Sequence, residues 1–188
     1  MAGTELSEDK KIIEKIVDLE EDMFKAVKVS ESSICQERLK TFRIMREMTF
    51  SVWSSACLKS YLNDLKDAIQ NGRNLLTEKY ARMDNLIPVI NNNPLIDVIV
   101  SFERDWMLDL HEKYPHAVSM QGDFTNYTKS ELETYSDKTI KEYYETLKRA
   151  KLEENNLAEV RFLKMYKRFG YNSLQEIEDR IMEKDGGC

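Results

Sequence analysis

Apolar residues recur every three or four positions along nearly the whole chain, which is the spacing of one face of an α-helix. In the first segment this series is Ile12, Ile16, Leu19, Met23 and Val27. Helix interiors tolerate few glycines or prolines, and the 188 residues include only 6 Gly and 3 Pro. The pattern predicts an all-α protein without a significant sheet, folded as a single compact domain of about eight helices over residues 1–188.

Breaks between these helices are expected where capping residues and turn formers cluster. The pair Asn71 and Gly72 is typical of a helix C-terminus, and Asn74 can cap the helix that follows. Asn93 and Pro94 together resemble a helix start. The segments ELETY and SDKTIKEYY are interpreted as one bent helix or as two. The predicted breaks lie near 30–33, 71–74, 88–94, 115–128 and 170–173, with a disordered tail at 185–188.

Charge and cysteine usage narrow the class of protein. The net charge of −6 and the pI near 5.2 disfavour nucleic acid as a partner. Cys35, Cys57 and Cys188 have no paired spacing, so we expect reduced thiols and no metal site among them. The N-terminus does not resemble a signal peptide, and no apolar run is long enough to span a membrane. These features predict a cytoplasmic protein, and none of them indicates a cofactor.

Both histidines of the chain lie in the stretch DLHEKYPH, which resembles a zinc-protease motif. That motif needs two histidines four residues apart on one helix, so that both rings face the same metal ion. His111 and His116 are five apart, and Pro115 ends the helix between them. We therefore predict that they bind no metal together, and that they lie at a helix C-terminus.

A nuclease is an alternative interpretation of the same region. Arg104 and His111 match the loose Arg-x4-6-His pattern of the helical nuclease family HEPN. They are seven residues apart and share a helix face, as acid–base chemistry at an RNA phosphate would require. Many helices contain an arginine and a histidine at this spacing, so the match alone is a hypothesis of low specificity.

Four charged residues fall on apolar helix faces when each helix is projected at 100° per residue. They are the cations Arg46 and Lys79 and the anions Glu103 and Asp109. Burial of an unpaired charge costs several kcal/mol, so each of these side chains needs a partner or a solvated cavity. One interpretation is an internal ion-pair network, with Glu103 as the leading partner of Arg46.

The other interpretation is a binding pocket between the helices. Its walls would include Trp53, Tyr80 and Trp106, and the cations Arg43, Arg46 and Lys79 would meet an anionic small ligand or a group of a protein partner. The first helix is apolar enough to pack on a copy of itself, which leaves a homodimer open. Whether the protein is an enzyme stays open as well.

Several motifs together resemble an uncharacterised bacterial family, domain of unknown function 4125. They are TFRIMR, the Trp53 that follows it, GRNLLTEKYARM, ELETYSDKTI and FGYNSLQEIED, and the likeness runs from about Phe42 to Ile181. The resemblance implies one bacterial helical domain and no particular activity. Its motifs include Arg43, Arg46, Trp53, Arg73, Asn74, Glu78, Lys79, Tyr80, Arg82, Glu131, Tyr135, Ser136 and Asp137. We combine these motif residues with the residues that the helix projections place on apolar faces or in the pocket wall. The predicted ligand-binding set is then Arg43, Arg46, Trp53, Arg73, Glu78, Lys79, Tyr80, Arg82, Glu103, Trp106, Tyr135 and Asp137.

Overall fold

The computed structural model describes residues 2–27, 36–120 and 122–185, and side chains within 8–27, 38–120 and 122–184. These residues form nine helices and no strand, which confirms the all-α prediction. The predicted break at 30–33, Cys35, Cys188 and the tail after Asp185 lie outside the described residues. The helices are α1 (Ala2–Ala26), α2 (Gln36–Phe50), α3 (Ser55–Gln70), α4 (Leu75–Met83), α5 (Leu95–Lys113), α6 (Phe124–Leu132), α7 (Asp137–Leu152), α8 (Leu157–Lys167) and α9 (Leu174–Asp185).

Side-chain caps fix where most of these helices begin. Ser54, Asn74, Asp123, Ser136 and Asn156 each accept a hydrogen bond from a backbone N–H in the first turn of the following helix. Such bonds satisfy N–H groups that have no partner inside the helix. The predicted cap at Asn74 is confirmed.

The end of α3 shows why glycine is needed at the break that follows it. Asn71 is the C-terminal cap, and Gly72 has a φ of +65°. The N–H of Arg73 then donates to the carbonyl of Ala68 over 2.8 Å. A left-handed residue after the last helical turn closes the helix in this way, and glycine adopts it without a Cβ penalty. The predicted C-terminus at this pair is confirmed.

The region after α5 differs from the prediction. A connection over 115–128 was expected, but α6 begins at Phe124 because Asp123 accepts a hydrogen bond from the N–H of Asn126. The segments left open as one helix or two are two helices, since Ser136 caps α7 separately. This separation gives nine helices where about eight were predicted.

The helices pack around one core. The first helix buries Ile12, Ile16, Val17 and Met23 against α2, α3 and α4. On the other side of the core α5 packs on α6, α7 and α8, while α3 contacts α7 and α4 contacts α6. No helix in the described ranges has an apolar stretch long enough to cross a membrane.

The connection before α5 is fastened to the start of α7. The side chains of Asn91 and Asn93 both donate to Oδ1 of Asp137, over 3.2 and 2.9 Å. The bonds from Asn93 and Asn91 hold the pKa of Asp137 below its usual value. This member of the predicted ligand-binding set therefore joins a loop to a helix at the surface.

Candidate functional site

The candidate site begins with a glutamate on the buried face of α1. Glu20 falls between Ile16 and Met23 on that face and has no exposed surface. Arg46 of α2 binds it in a bidentate manner, with Nε 2.7 Å from Oε2 and Nη2 2.6 Å from Oε1. The hydroxyl of Tyr61 donates to Oε1 over 2.7 Å. Glu20 is therefore held by three hydrogen bonds in a dry environment, where such charge-assisted bonds are strong.

A second carboxylate, Glu131 of α6, contacts Arg46 and a further cation. Nη1 of Arg46 lies 2.8 Å from Oε1 of Glu131, and Nζ of Lys79 lies 2.5 Å from its Oε2. The hydroxyl of Tyr135 donates to Oε1 of Glu131 over 2.8 Å. We call Glu20, Arg46, Tyr61, Lys79, Glu131 and Tyr135 the central network. It contains two cations and two carboxylates, and it joins α1, α2, α3, α4 and α6.

The central network keeps Glu131 and Lys79 charged and Tyr135 neutral. Burial raises the pKa of Glu131, but Arg46 and Lys79 outweigh that effect and hold the pKa well below its usual range. Burial lowers the pKa of Lys79, yet the adjacent Glu131 carboxylate outweighs it, and the pKa is raised. Burial also raises the pKa of Tyr135 well above its ordinary value, so its hydroxyl stays protonated and donates.

Glu103 belongs to a separate cluster. It is buried on α5, and it pairs with Arg161 of α8 and accepts a hydrogen bond from the hydroxyl of Tyr143 on α7. We call these three residues the Glu103 cluster. The prediction that Glu103 is the partner of Arg46 is therefore wrong, although both residues are buried as predicted. The fourth charge predicted on an apolar face, Asp109, is exposed.

An open pocket of about 560 Å³ borders the central network. We call it the outer pocket. The buried cations Arg46 and Lys79 line it, and so does Arg38, which is exposed on α2. Nζ of Lys79 also lies 3.4 Å from the centre of the Tyr127 ring, in a cation–π contact. The other lining residues are aromatic, apolar or hydroxyl-bearing: Phe24, Thr41, Phe42, Met45, Leu76 and Tyr80.

The aromatic residues predicted for one pocket wall are dispersed. Tyr80 lines the outer pocket. Trp53 lies in the core, with its ring 4.6 Å from that of Tyr143, and it lines a second cavity together with Arg46 and Tyr135. Trp106 is buried on α5 and lines neither cavity. The structure thus brings Arg46 together with Tyr80 on one side and with Trp53 on the other.

Three other predicted site residues form ion pairs at the surface. Nη1 of Arg43 lies 2.9 Å from Asp18 and 2.7 Å from Glu21. Arg73 donates to both carboxylate oxygens of Glu78, over 2.8 and 2.6 Å. These residues line neither cavity, so the structure separates them from the central network.

Arg82 holds the segment that leads away from α4. Its Nε donates to Oε2 of Glu133 over 2.5 Å, and its Nη1 donates to the carbonyl of Ile87 over 2.9 Å. Glu133 is itself buried. Arg82 therefore connects the end of α4, the following loop and the end of α6, and it does not line the outer pocket.

The two histidine rings contact different parts of the protein. Nδ1 of His111 lies 2.6 Å from the carbonyl of Val118. Nδ1 of His116 lies 2.5 Å from Glu178 of α9, whose carboxylate also accepts from the backbone N–H groups of His116 and Ala117. Among the side chains that the structure describes, no group of three or more His, Cys, Asp or Glu residues could hold a metal ion.

The structure also contains buried charges that the sequence reasoning missed. Glu20 follows Ile16 by four positions and precedes Met23 by three, so a projection of α1 could have placed it on the apolar face. Arg161 follows Leu157 by four positions and Ala158 by three, and both are buried. The same projection that identified Arg46 could therefore have found these two residues.

The buried cysteine has no role in this site. Cys57 lies in the core of α3 as a free thiol. Burial, with smaller contributions from Glu142 and Asp64, raises the pKa of this thiol. A thiol that resists ionisation is a poor nucleophile and a poor metal ligand.

Comparison with known proteins identifies a family for this chain. The model of the family DUF4125, described as a protein of unknown function, matches residues 10–179. The searches among curated proteins and among solved structures each found no match. The matched residues include every member of the central network and of the Glu103 cluster.

Proposed function

Since this chain belongs to DUF4125, a family of unknown function, we propose that it is a binding or accessory domain. In this proposal the outer pocket binds the anionic group of a small molecule or of a protein partner. The ligand would have an apolar or aromatic body, because rings and aliphatic side chains form most of the wall. The proposal includes no reaction.

One observation carries this proposal. Every charged residue that lines the outer pocket is a cation, namely Arg38, Arg46 or Lys79. The carboxylates that neutralise the two buried cations, Glu20 and Glu131, do not line it. Arg46 donates two of its five N–H groups to Glu20 in hydrogen bonds. Its Nη1 also lies 2.8 Å from Glu131, and Lys79 is paired with the same carboxylate. An anion in the pocket would therefore meet three cations on the wall, while the carboxylates that pair with Arg46 and Lys79 lie outside it.

The charge states of the central network favour binding over proton transfer. A general acid or base works best with a pKa near the operating pH. Arg46 and Lys79 hold the pKa of Glu131 far below that range despite its burial. Glu131 in turn raises the pKa of Lys79 against the effect of burial. Neither group is suited to exchange a proton near neutral pH.

The alternative of a metal-independent RNase would use Arg104 and His111. Arg104 is exposed, with Nη2 3.6 Å from the neighbouring Asp105. His111 makes its contact with the Val118 carbonyl. Neither residue lines the outer pocket, and no arrangement around them favours RNA cleavage over a surface role. We therefore prefer the binding proposal.

A matched pair of probes tests the anion site. We expect 2-naphthoate to bind the protein about tenfold more tightly than 2-naphthylmethanol, because a charge-assisted hydrogen bond contributes about 1.5–3 kcal/mol. Arg38→Gln removes an exposed cation from the pocket and should weaken 2-naphthoate about fivefold while leaving the alcohol unchanged. Isothermal titration at low salt and the thermal upshift on binding measure both affinities.

Lys40→Gln is the control for Arg38→Gln. Lys40 is exposed on the same helix and does not line the pocket, so the two variants change the net charge equally. Equal affinity for the acid and the alcohol would overturn the proposal, and so would equal effects of the two variants. Absence of binding by either probe at millimolar concentration would overturn it as well.

A further inference from the structure

A second cavity of about 320 Å³ lies beside the outer pocket, and we call it the inner cavity. The two share Met45, Arg46 and Tyr127 as lining residues. Side chains from both the central network and the Glu103 cluster line the inner cavity. Its volume is of the size that takes a small ligand.

The charges that line the inner cavity cancel in pairs. Arg46 contacts Glu131, and Arg161 contacts Glu103. Two cations and two carboxylates therefore line the cavity, each charge facing a partner. A charged ligand would lose its hydration here without gaining an unpaired counter-charge. The cavity thus favours an uncharged ligand, in contrast to the outer pocket.

The chemistry of the remaining wall favours a flat aromatic ligand. Six aromatic residues line it: Trp53, Phe124, Tyr127, Tyr135, Tyr143 and Phe162. Aromatic rings pack well on one another in offset or edge-to-face arrangements. Met45, Met48 and Met107 also line the cavity, and the flexible methionine side chain adapts to the outline of a ligand. The rest of the wall is Leu132 and the hydroxyl-bearing Thr49, Ser119 and Thr128.

One residue that lines the inner cavity has a polar atom without a partner. Nε1 of Trp53 is buried and has no hydrogen-bond acceptor among the described residues. Trp53 as a whole is 6 % exposed. An indole N–H is a donor only, and buried Trp residues usually find an acceptor. In the same wall Met45 is 43 % exposed, so it can move without disturbing the core and let an acceptor approach.

We propose that the inner cavity binds a small uncharged aromatic heterocycle, with a ring nitrogen of the ligand accepting a hydrogen bond from the Trp53 indole N–H. The aromatic wall supplies contact with the ring, and the paired charges exclude ionised ligands. This site is separate from the anion site, and it does not depend on occupancy of the outer pocket.

Two probes of the same shape test the hydrogen bond. Benzimidazole has a ring nitrogen acceptor that indole lacks, and it is uncharged at mildly alkaline pH. We expect benzimidazole to bind about fivefold to tenfold more tightly than indole, because only benzimidazole accepts from Trp53. The chain has 2 Trp residues, so a ¹⁵N-labelled sample gives two indole N–H resonances, and Trp106→Phe assigns them.

Benzimidazole should shift the Trp53 indole resonance in a saturable manner and slow its hydrogen exchange. Indole binds more weakly and has no acceptor for the Trp53 N–H, so it should not slow that exchange. Trp53→Phe should abolish the preference for benzimidazole, provided that the Trp106 resonance shows the variant to be folded. The exchange measurement on the natural sequence decides the question if that variant does not fold.

An unshifted Trp53 resonance at millimolar benzimidazole would overturn the proposal, as would equal affinity for the two probes. Arg38→Gln should leave benzimidazole binding unchanged. The naphthoate and benzimidazole experiments can therefore fail independently of each other.

Discussion

At the scale of single residues, Arg46 is the cation that connects the two carboxylates of the central network. It is 6 % exposed and contacts two carboxylates, Glu20 and Glu131. Its loss would affect them unequally. Glu131 would keep Lys79 and Tyr135, whereas Glu20 would keep only the hydroxyl of Tyr61.

Arg46→Met should lower the free energy of unfolding by about 3 kcal/mol or more, because it leaves Glu20 as a buried charge without its counter-ion. The double variant Arg46→Met, Glu20→Leu should recover much of that loss, since both members of the pair are then apolar. Urea unfolding of the single and double variants measures the difference.

The control for this cycle is Arg46→Met, Glu103→Leu. Because Glu103 pairs with Arg161, this double variant should be less stable than Arg46→Met alone. Recovery by Glu103→Leu and not by Glu20→Leu would contradict the pairing that the structure shows.

These residues also show what could be predicted from sequence. Helix projection correctly predicted the burial of Arg46, Lys79 and Glu103, because it reports which side of a helix faces the core. It was wrong for Asp109, which lies near the margin of an apolar sector. It could not supply the partner of Arg46, since the partner depends on how helices pack and not on the period of any one of them.

At the scale of helices, the residues next to each helix end were sufficient to predict most helix boundaries. Asn74 caps α4 as predicted, because a cap depends on a residue only three positions away. The start of α6 was missed although Asp123 is also a capping residue. That helix has only nine residues, and a short helix is stabilised by its neighbours more than by its own pattern.

The last helix, α9, packs on α8, and this contact is less extensive than the contacts of α2 and α5 with α8. One end of α9 is fastened to the turn after α5 by Glu178, which accepts from the N–H groups of His116 and Ala117. Such a tether on a sparsely packed helix should control its local opening.

Glu178→Ala should speed amide hydrogen exchange in α9 by about tenfold or more, because two backbone donors and the helix lose a shared acceptor. Exchange in α3 and α5 should change little. Glu183→Ala, at an exposed position on the same helix, is the control and should leave exchange in α9 unaffected. Equal effects of the two variants would contradict a tethering role for Glu178.

At the scale of the whole molecule, the central network sets a pH range for stability. Arg46 and Lys79 outweigh burial and lower the pKa of Glu131 in the folded state, so this carboxylate stabilises the fold above its ordinary pKa of about 4.3. That contribution is lost as the pH falls toward the lower folded value. The raised pKa of Lys79 sets the alkaline limit of this range. Its contribution to the free energy of unfolding is fully present below about pH 10.4 and is lost at higher pH.

Glu131→Gln should therefore lower stability at neutral pH and also flatten its decline in acid. Urea unfolding at a series of pH values from neutral to below about pH 4 measures that slope. Glu145→Gln, at an exposed position on α7, should keep the slope of the natural protein. An unchanged slope in Glu131→Gln would show that this carboxylate does not titrate with folding.

The partners within the central network are distant along the chain. Arg46 and Glu20 are 26 residues apart, and Lys79 and Glu131 are 52 apart. Closing such loops costs chain entropy before any contact repays it, so we expect these ion pairs to form late in folding. Contacts that form after the transition state slow unfolding more than they speed folding. The network therefore acts mainly on how long a folded molecule lasts before it opens.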